Sequence, residues 1–233
     1  MVQYTEWRSI SDGSIISSIP DAAVSQFKID EGSDLTLNNA FDEQPDATIN
    51  GASWESVADL VGGWGLNFDG GDNVDIDNGF DFVDENANLS FCVTVDIDSI
   101  PTDESLWHNT DGSNYAIGVG FGQDGDNITV RFNDSGGNPR GDIGTTDIPS
   151  SGKIRVGVRL DVENFDGQFA INGDLKPKED KSGRATINAA PNMLGAQDES
   201  SFNYNEILDN PIWYDSELTE SEFQKDYNAQ PWS

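Results

Sequence analysis

The sequence predicts an all-β protein: a two-sheet antiparallel β-sandwich of the jelly-roll kind, with one short helix near the C-terminus. Two observations predict this class. Several stretches alternate apolar and polar side chains, which is the period of a strand with one buried face. Gly, Asn and Asp bound these stretches at short intervals, as turns do. A length of 233 residues suits a single domain of this class. We expect a polar, Ser-rich arm at residues 1–20 and the domain at 21–233.

The alternation is clearest in the middle of the chain. Residues 89–98 predict a strand that places Cys92 on the side away from the core, as a small packing residue, with a reactive thiol as the alternative. Residues 114–123 carry glycine at three alternate positions opposite the apolar face, and such glycines often mark close approach of a ligand or another backbone. Asn172-Gly173 predicts a type I′ turn inside a hairpin. The same pattern predicts further strands at 127–133, 153–162, 167–176 and 206–214.

Two other segments have readable local signals. Thr219 and Glu222 form a capping box, which predicts a short helix in SELTESEFQKDY. The acidic stretch GLNFDGGDNVDIDNGF, residues 65–80, predicts a strand, a glycine turn and a second strand, with Asp75 and Asp77 facing solvent. An EF-hand is excluded there, because neither register of the aspartates places Gly at the sixth position and Glu at the twelfth.

The charge balance excludes several partners. Asp and Glu number 43 against 12 Lys and Arg, so the formal charge is −31. Such a chain repels itself at low salt and lacks the cations that nucleic-acid phosphates require, which predicts a high-salt environment and no nucleic-acid binding. Hydrophobic residues at 35% are enough for a core, which argues against disorder. The single cysteine excludes an intrachain disulfide. We expect neither a secretory signal nor membrane insertion.

Five segments in chain order resemble the laminin-G-like, concanavalin A-like domains, over about residues 20 to 230. The resemblance implies a jelly roll and one structural Ca²⁺, held between an early loop and an acid of the last strand, here Asp42 and Asp209. This sequence departs from the family pattern at Asn210-Pro211 and in a shortened early loop, DEQPDA. The segments are AVSQFKIDEGSDLTLNNAFDEQPDATINGASW, GWGLNFDGGDNVDI, LSFCVTVDI, GQFAINGDLK and ILDNPIWYDSELTESEFQKDY.

Six residues are candidates for a ligand site. Three of the six arginines fall on the predicted non-core face of two strands, and three ring-bearing residues flank one predicted hairpin, where they could stack on a sugar. Cross-strand ion pairs with aspartate and a subunit contact are the alternative roles for the arginines. The candidates are Trp107, His108, Tyr115, Arg131, Arg155 and Arg159.

Catalytic motifs are weak in this chain. Endoglucanases of this fold carry an E-x-D-x-(x)-E run on one strand, and no such run occurs; His108, the only histidine, has no Ser or Cys motif beside it. We therefore expect a non-enzymatic recognition or attachment domain without a catalytic residue. Our expectation is a structural virion protein of a haloarchaeal virus, a homo-oligomer at the virion surface that binds host glycans. The alternatives are a stand-alone carbohydrate-binding module and a glycoside hydrolase of the same fold.

Overall fold

A computed structural model describes most of the chain. The described residues are 19–41, 44–76, 88–110, 115–122, 127–133, 139–161, 166–177, 179–180, 192–196 and 203–233. Only the backbone is described at 110, 115–116, 132–133, 139–142 and 179–180. The predicted arm therefore lies almost entirely outside the described residues.

Most described elements are short strands. A single 3-10 turn at Val61–Gly63 and one helix, α1 at Glu220–Asn228, are the helical elements of the described chain. The strands are β1 (Ala23–Gln26), β2 (Thr36–Leu37), β3 (Ala47–Asn50), β4 (Ser53–Ser56), β5 (Trp64–Asn67), β6 (Asn73–Ile76), β7 (Asn88–Ile97), β8 (Glu104–Thr110), β9 (Tyr115–Phe121), β10 (Ile128–Asn133), β11 (Pro139–Thr145), β12 (Gly152–Asp161), β13 (Asp166–Ile171), β14 (Asp174–Leu175), β15 (Glu179–Asp180), β16 (Asn192–Leu194) and β17 (Ile207–Tyr214).

These strands form two antiparallel sheets, which confirms the predicted β-sandwich. Within the described residues one sheet has nine strands, in the order β14-β13-β12-β7-β17-β5-β4, with β1 beside β17 and β15 beside β13. The other has eight, in the order β11-β10-β9-β8-β16-β6-β3-β2. Strands from distant parts of the chain pair as neighbours, so the sheets hold the ends of the sequence together.

The edges of the two sheets face each other in pairs. On one side β11 lies against β13, because a Cβ added at Gly167 would stand 2.9 Å from Ile143 Cδ1. On the opposite side β4 and β2 are the last strands of their sheets. The loop at 29–35 spans this second opening, since Trp54 Nε1 on β4 donates to Asp34 O at 2.9 Å.

The core lies between the sheets and is built from the alternating apolar residues. Residues 117, 119 and 121 of β9 are fully buried, as are their counterparts on β7 and β12. Four aromatic rings form the centre, with Phe91 4.9 Å from Trp213 and 5.2 Å from Trp107 between ring centroids, and Phe27 against Trp213 at 6.1 Å. Such rings bury the largest apolar areas and stabilise the sandwich most.

A second, smaller core lies outside the nine-stranded sheet. Phe223 of α1 packs over Gly157 of β12, where a Cβ would stand 2.7 Å from Phe223 Cε1. Cys92 lies in the same cluster and is fully buried. The helix begins at the predicted capping box, in which Thr219 accepts from Glu222 N and Glu222 accepts from Thr219 N. Cys92 thus points away from the main core as predicted, and the helix buries it.

The glycine turn after residue 68 joins the two sheets instead of closing a hairpin. β5 belongs to the nine-stranded sheet and β6 to the eight-stranded one. Asp72 is 8% exposed and accepts from Asp69 N at 2.9 Å, so one of the four aspartates serves the turn itself. Asp75 is partly exposed, and Asp77 lies outside the described residues.

Candidate functional site

Trp107 is part of the core, which corrects its prediction as a sugar-stacking residue. β8 runs through residues 104–110, so Trp107 lies in the middle of a strand and not at a hairpin end. It pairs with Val119 on the core side, is fully buried, and donates from Nε1 to Asn192 Oδ1 at 3.0 Å. A ring enclosed on both faces has no surface left for a ligand.

His108 points the other way, onto the outer face of the eight-stranded sheet. Its imidazole lies over Gly118, because a Cβ built on that glycine would collide with His108 Nε2. Ser105 Oγ lies 2.9 Å from His108 Nδ1. Glycine at 118 therefore makes room for the histidine, which is the close approach that the glycine pattern predicts. His108 is only 3% exposed, so its ring offers little surface to a ligand from solvent.

Arg131 lies beside the glycines on the outer face of β9. In the strand register Arg131 is opposite Gly118, which is opposite His108, so two of the six predicted residues share one row of the sheet. Arg131 is partly exposed. Thr129, one row along, is 1% exposed and its Oγ1 has no hydrogen-bond partner. This outer glycine face (Ser105, His108, Gly118, Gly120, Thr129 and Arg131) is a polar but largely enclosed surface. The backbone of Tyr115 lies in β9, and its side chain is not among the described ones.

Arg155 and Arg159 lie on the other sheet, so the three arginines do not converge. Arg155 on β12 is 1% exposed and makes a two-bond ion pair with Asp226 of α1. Burial alone would lower the pKa of the guanidinium; the Asp226 carboxylate more than offsets this and raises it. Arg159 donates to Leu218 O at 3.1 Å and to Gln168 Oε1 at 2.5 Å. Both arginines hold the C-terminal segment on the sheet. Arg155 is too enclosed to meet a ligand, which corrects its assignment, whereas the partly exposed Arg159 stays a prediction.

Asp209 on β17 is the predicted calcium residue that the structure describes; Asp42 lies outside the described residues. Asp209 is 1% exposed, its Oδ2 accepts from Val61 N at 3.0 Å, and its Oδ1 has no hydrogen-bond partner. Burial raises the pKa of Asp209 well above its usual value, and the hydrogen bond from Val61 opposes that shift. A buried carboxylate oxygen without a donor fits a Ca²⁺ ligand. No three acidic, His or Cys side chains of the described residues converge as a metal site, so calcium stays a prediction.

Asn210-Pro211, where the sequence departs from the laminin-G-like pattern, forms a β-bulge that gives Arg155 a hydrogen-bond acceptor. The register of β17 shifts between Asp209 and Ile212, and Asn210 has φ +47°. Its carbonyl, turned out of the ladder, accepts from Arg155 Nη1 at 2.7 Å. Pro211 has no N–H to leave unpaired at such a position.

Carboxyl groups gather where β7 ends and β8 and β17 begin. Glu104 Oε2 accepts from Asn205 N at 3.1 Å. Burial, with the Glu206 carboxylate adding to it, raises the pKa of Glu104 to about 7, although the Asn205 hydrogen bond opposes the shift. Burial and the carboxylates of Asp98 and Asp96 also raise the pKa of Glu206. Glu104, at this end of the sandwich, therefore holds a proton close to neutral pH.

Sequence reasoning did not single out the surface at the open edge between β4 and β2. Trp54 and Trp64 lie on the same face of the β4–β5 hairpin, because Trp54 pairs with Leu66 and Ser56 pairs with Trp64. Both rings are partly exposed, and Leu35, the chain neighbour of the Asp34 that accepts from Trp54 Nε1, is 68% exposed. We call Leu35, Trp54 and Trp64 the aromatic edge. The sequence placed both tryptophans in strands, but only the pairing register shows that they share a face.

No family model matches the sequence, and no curated protein matches it. Solved structures do share the fold. Domain 4 of an extracellular GH43 arabinanase from Geobacillus stearothermophilus, in complex with arabinotriose, matches with a TM-score of 0.66 and 16% identity, over 88% of this chain and 98% of that domain. The similarity therefore includes nearly the whole of both chains.

Two other neighbours are larger than this chain. A Trypanosoma rangeli sialidase in complex with sialic acid matches with a TM-score of 0.62 and 16% identity, over 91% of this chain and 34% of that one. The binding domain of botulinum neurotoxin DC, in complex with rat synaptotagmin II, has a TM-score of 0.68 and 10% identity, over 91% and 52% of the two chains. This chain thus spans about a third and about half of their lengths. At these identities the likeness establishes the β-sandwich fold.

The comparisons contradict the expectation that this protein is not an enzyme. An arabinanase domain and sialidases, which are glycoside hydrolases, share its fold. The missing glucanase run at one strand is specific to one group of enzymes on this sandwich. Its absence therefore does not separate this chain from glycoside hydrolases.

In the described part of the chain, no helix is both long and apolar enough to cross a membrane.

Proposed function

We propose that this sandwich is a carbohydrate-recognition domain. The observation that carries the proposal is the match to a domain whose structure is named as a complex with arabinotriose, over 98% of that domain. Because the whole sandwich corresponds, the surfaces on which a β-sandwich presents side chains are common to both. Fold likeness alone does not transfer a ligand, so the chemistry of this chain's own surface has to agree.

That chemistry favours an uncharged, hydroxyl-rich ligand. The formal charge of −31 opposes phosphate, nucleic acid and other polyanions. The aromatic edge offers flat apolar rings with polar loop groups beside them, and the partly exposed Arg131 offers a guanidinium group on the outer glycine face. A sugar ring, with apolar C–H faces and hydroxyls at its rim, matches both kinds of group.

The acidic composition supports a more specific proposal for the setting and role of this domain. We propose a laminin-G-like domain that acts in a high-salt medium, as a structural protein of a haloarchaeal virion that attaches to host glycans. The excess of 43 acidic over 12 basic residues supports a high-salt setting, since salt screens their mutual repulsion. Arm residues 1–20 would supply contacts between copies in a homo-oligomer or with other virion subunits. A single carbohydrate-binding module beside a catalytic domain is the second candidate, favoured by the arabinanase match.

The test is binding to a glycan array and to intact haloarchaeal cells in molar KCl. Molar salt removes non-specific attraction between the acidic protein and basic groups. We expect saturable binding to a restricted set of glycans, competed by the free saccharide. The heat-unfolded protein is the control. Absence of competable binding to any glycan or cell surface would contradict the proposal.

A further inference from the structure

The aromatic edge is an apolar surface at the open side of the sandwich. Trp54 and Trp64 stand in diagonal positions across the β4–β5 pair, a separation of about 7–8 Å between backbone positions that large rings can bridge. Leu35 is the one large hydrophobic residue of the described chain that is exposed. The other large apolar side chains of the described residues are at most partly exposed, so an exposed leucine beside this hairpin is distinctive.

The loop at 29–35 holds the edge in place. Asp34 O accepts from Trp54 Nε1 at 2.9 Å, and Leu35 O accepts from Ile49 N at 2.8 Å. Gly32 lies directly on the other ring, because a Cβ added there would stand 2.6 Å from Trp64 Cε2. The loop is thus fastened to both tryptophans and to the opposite sheet.

Backbone strain is concentrated in the same loop. Ile29 has φ +52° and Asp34 has φ +81°, a region that side chains other than glycine seldom adopt. Such a strained backbone persists only where surrounding contacts determine it, often at ligand sites. Ile29 is fully buried, so the packing around its side chain holds this residue in the strained conformation.

Polar groups lie in the loop beside the rings. Glu31 Oε1 accepts from Asn38 N and Nδ2, both at 3.0 Å, while its Oε2 is buried without a partner. A flat apolar surface with polar groups beside it suits a sugar ring, because the C–H face of the sugar stacks on aromatic rings and its hydroxyls bond at the edge.

Charge and size select the occupant. Asp30, Glu31 and Asp34 lie in this one loop, and the first and third are exposed, so an acidic sugar or a phosphate would be repelled. A stable protein contact buries about 1,200 Å² or more in total, whereas this edge comprises two partly exposed rings and one leucine. We propose that the aromatic edge is a stacking site for an uncharged saccharide. This inference rests on the proposed carbohydrate recognition and adds the position and the ligand class.

The experiment compares wild-type protein with Trp64→Ala and with a matched control, Trp232→Ala. Trp232 is also partly exposed, but it packs against Tyr227 of α1 at 5.5 Å between ring centroids. The probes are arabinotriose and maltotriose as neutral trisaccharides and trigalacturonate as an acidic one. Calorimetry in molar KCl measures affinity, tryptophan fluorescence reports stacking, and thermal unfolding of each variant checks the fold.

We expect a neutral trisaccharide to shift the tryptophan fluorescence and to bind about tenfold or more weakly to Trp64→Ala, with Trp232→Ala like wild type. A Trp54→Phe variant, which keeps an aromatic ring, should lose less affinity than Trp64→Ala. Unchanged binding in a folded Trp64→Ala protein would contradict the aromatic edge as the binding site. Carbohydrate recognition by the domain would still hold. Preference for trigalacturonate would overturn the ligand class. If neither these probes nor the glycan array show binding, the site and the proposed function both fail.

Discussion

The Arg155 guanidinium of β12 and the Asp226 carboxylate of α1 meet in two hydrogen bonds, 2.7 Å from Nε to Oδ2 and 2.9 Å from Nη2 to Oδ1. Tyr214 OH donates to the same carboxylate at 2.8 Å, and Asn210 O accepts from Nη1. A buried ion pair is retained at low cost only when its remaining donors and acceptors are satisfied, and here they are. The pair joins the helix to the outer face of the nine-stranded sheet.

Breaking this pair should destabilise the protein strongly. We expect Arg155→Met to lower the free energy of unfolding by about 3–5 kcal/mol, because Asp226 would remain buried without its cation. Urea unfolding in molar KCl measures this. Arg159→Met is the control, since Arg159 is partly exposed and makes no ion pair with Asp226; its loss should be smaller. Equal losses in the two variants would contradict the assignment of Arg155 as the anchor of α1.

Glycine at 118 should be required for the position of His108. Alanine there places Cβ on the imidazole, so we expect Gly118→Ala to cost about 1–3 kcal/mol through overpacking. Gly71→Ala is the matched control, because nothing lies within 4 Å of a Cβ at that position. Chemical unfolding of both variants is the measurement. A Gly118→Ala protein as stable as Gly71→Ala would show that His108 moves freely.

Stability should respond to the protonation of Glu104. The pKa of Glu104 is about 7 in the fold, against an ordinary value of 4.5. A carboxyl whose folded pKa is the higher one destabilises the fold when ionised, so its cost is absent below pH 4.5, grows as pH rises and is complete above about pH 7. Glu104→Gln should therefore be more stable than wild type above pH 7, by up to about 1 kcal/mol after solvent screening.

The Glu104 comparison is made by unfolding both proteins between about pH 4.5 and pH 8. The difference should grow with pH and then level off, and Glu55→Gln, an exposed position on β4, should show no such trend. A constant difference at every pH would mean that Glu104 titrates with an ordinary pKa.

Calcium should stabilise the protein through Asp209. We expect added Ca²⁺ to raise the melting temperature of wild type, with about 2.7 kcal/mol of stabilisation at a hundredfold excess over Kd. Asp209→Asn should abolish the effect, and Asp42→Asn should weaken it if the family pairing holds. Asp59→Asn, an exposed position, is the control. Stabilisation that persists in Asp209→Asn would assign the ion to another site.

Salt should stabilise this protein by screening. Raising KCl from about 0.1 to about 1 M shortens the Debye length from about 10 to about 3 Å, so we expect the melting temperature to rise steeply over that range. Sucrose at matched osmolality is the control, because it is excluded from protein surfaces without screening charge. An equal rise in sucrose would remove electrostatics as the cause.

Local sequence signals predicted much of the fold. The strands expected at 89–98 and 153–162 are observed at Asn88–Ile97 and Gly152–Asp161. Asn172 and Gly173 have φ +53° and +83°, as a type I′ turn requires. These elements depend on period-2 burial and on turn chemistry, both of which are written within a few residues of the chain.

The functional residues were harder to predict, because their surroundings come from distant parts of the chain. Arg155 alternates outward from the core correctly, but the helix that buries it begins 65 residues later, at Glu220. Trp107 was misplaced because residues 104–110 form one strand, in which Trp107 pairs with Val119 and is buried in the core. Trp54 and Trp64 form one surface through hairpin register, which local patterns do not specify.

Cys92 is the single thiol of the sequence and lies fully buried beneath α1. Burial, with the Asp226 carboxylate adding to it, raises the pKa of that thiol, so it is protonated and unreactive while the helix stays docked. Each transient departure of the helix would uncover it. The rate at which a thiol reagent modifies Cys92 therefore reports how often the C-terminal segment opens, and no label has to be introduced.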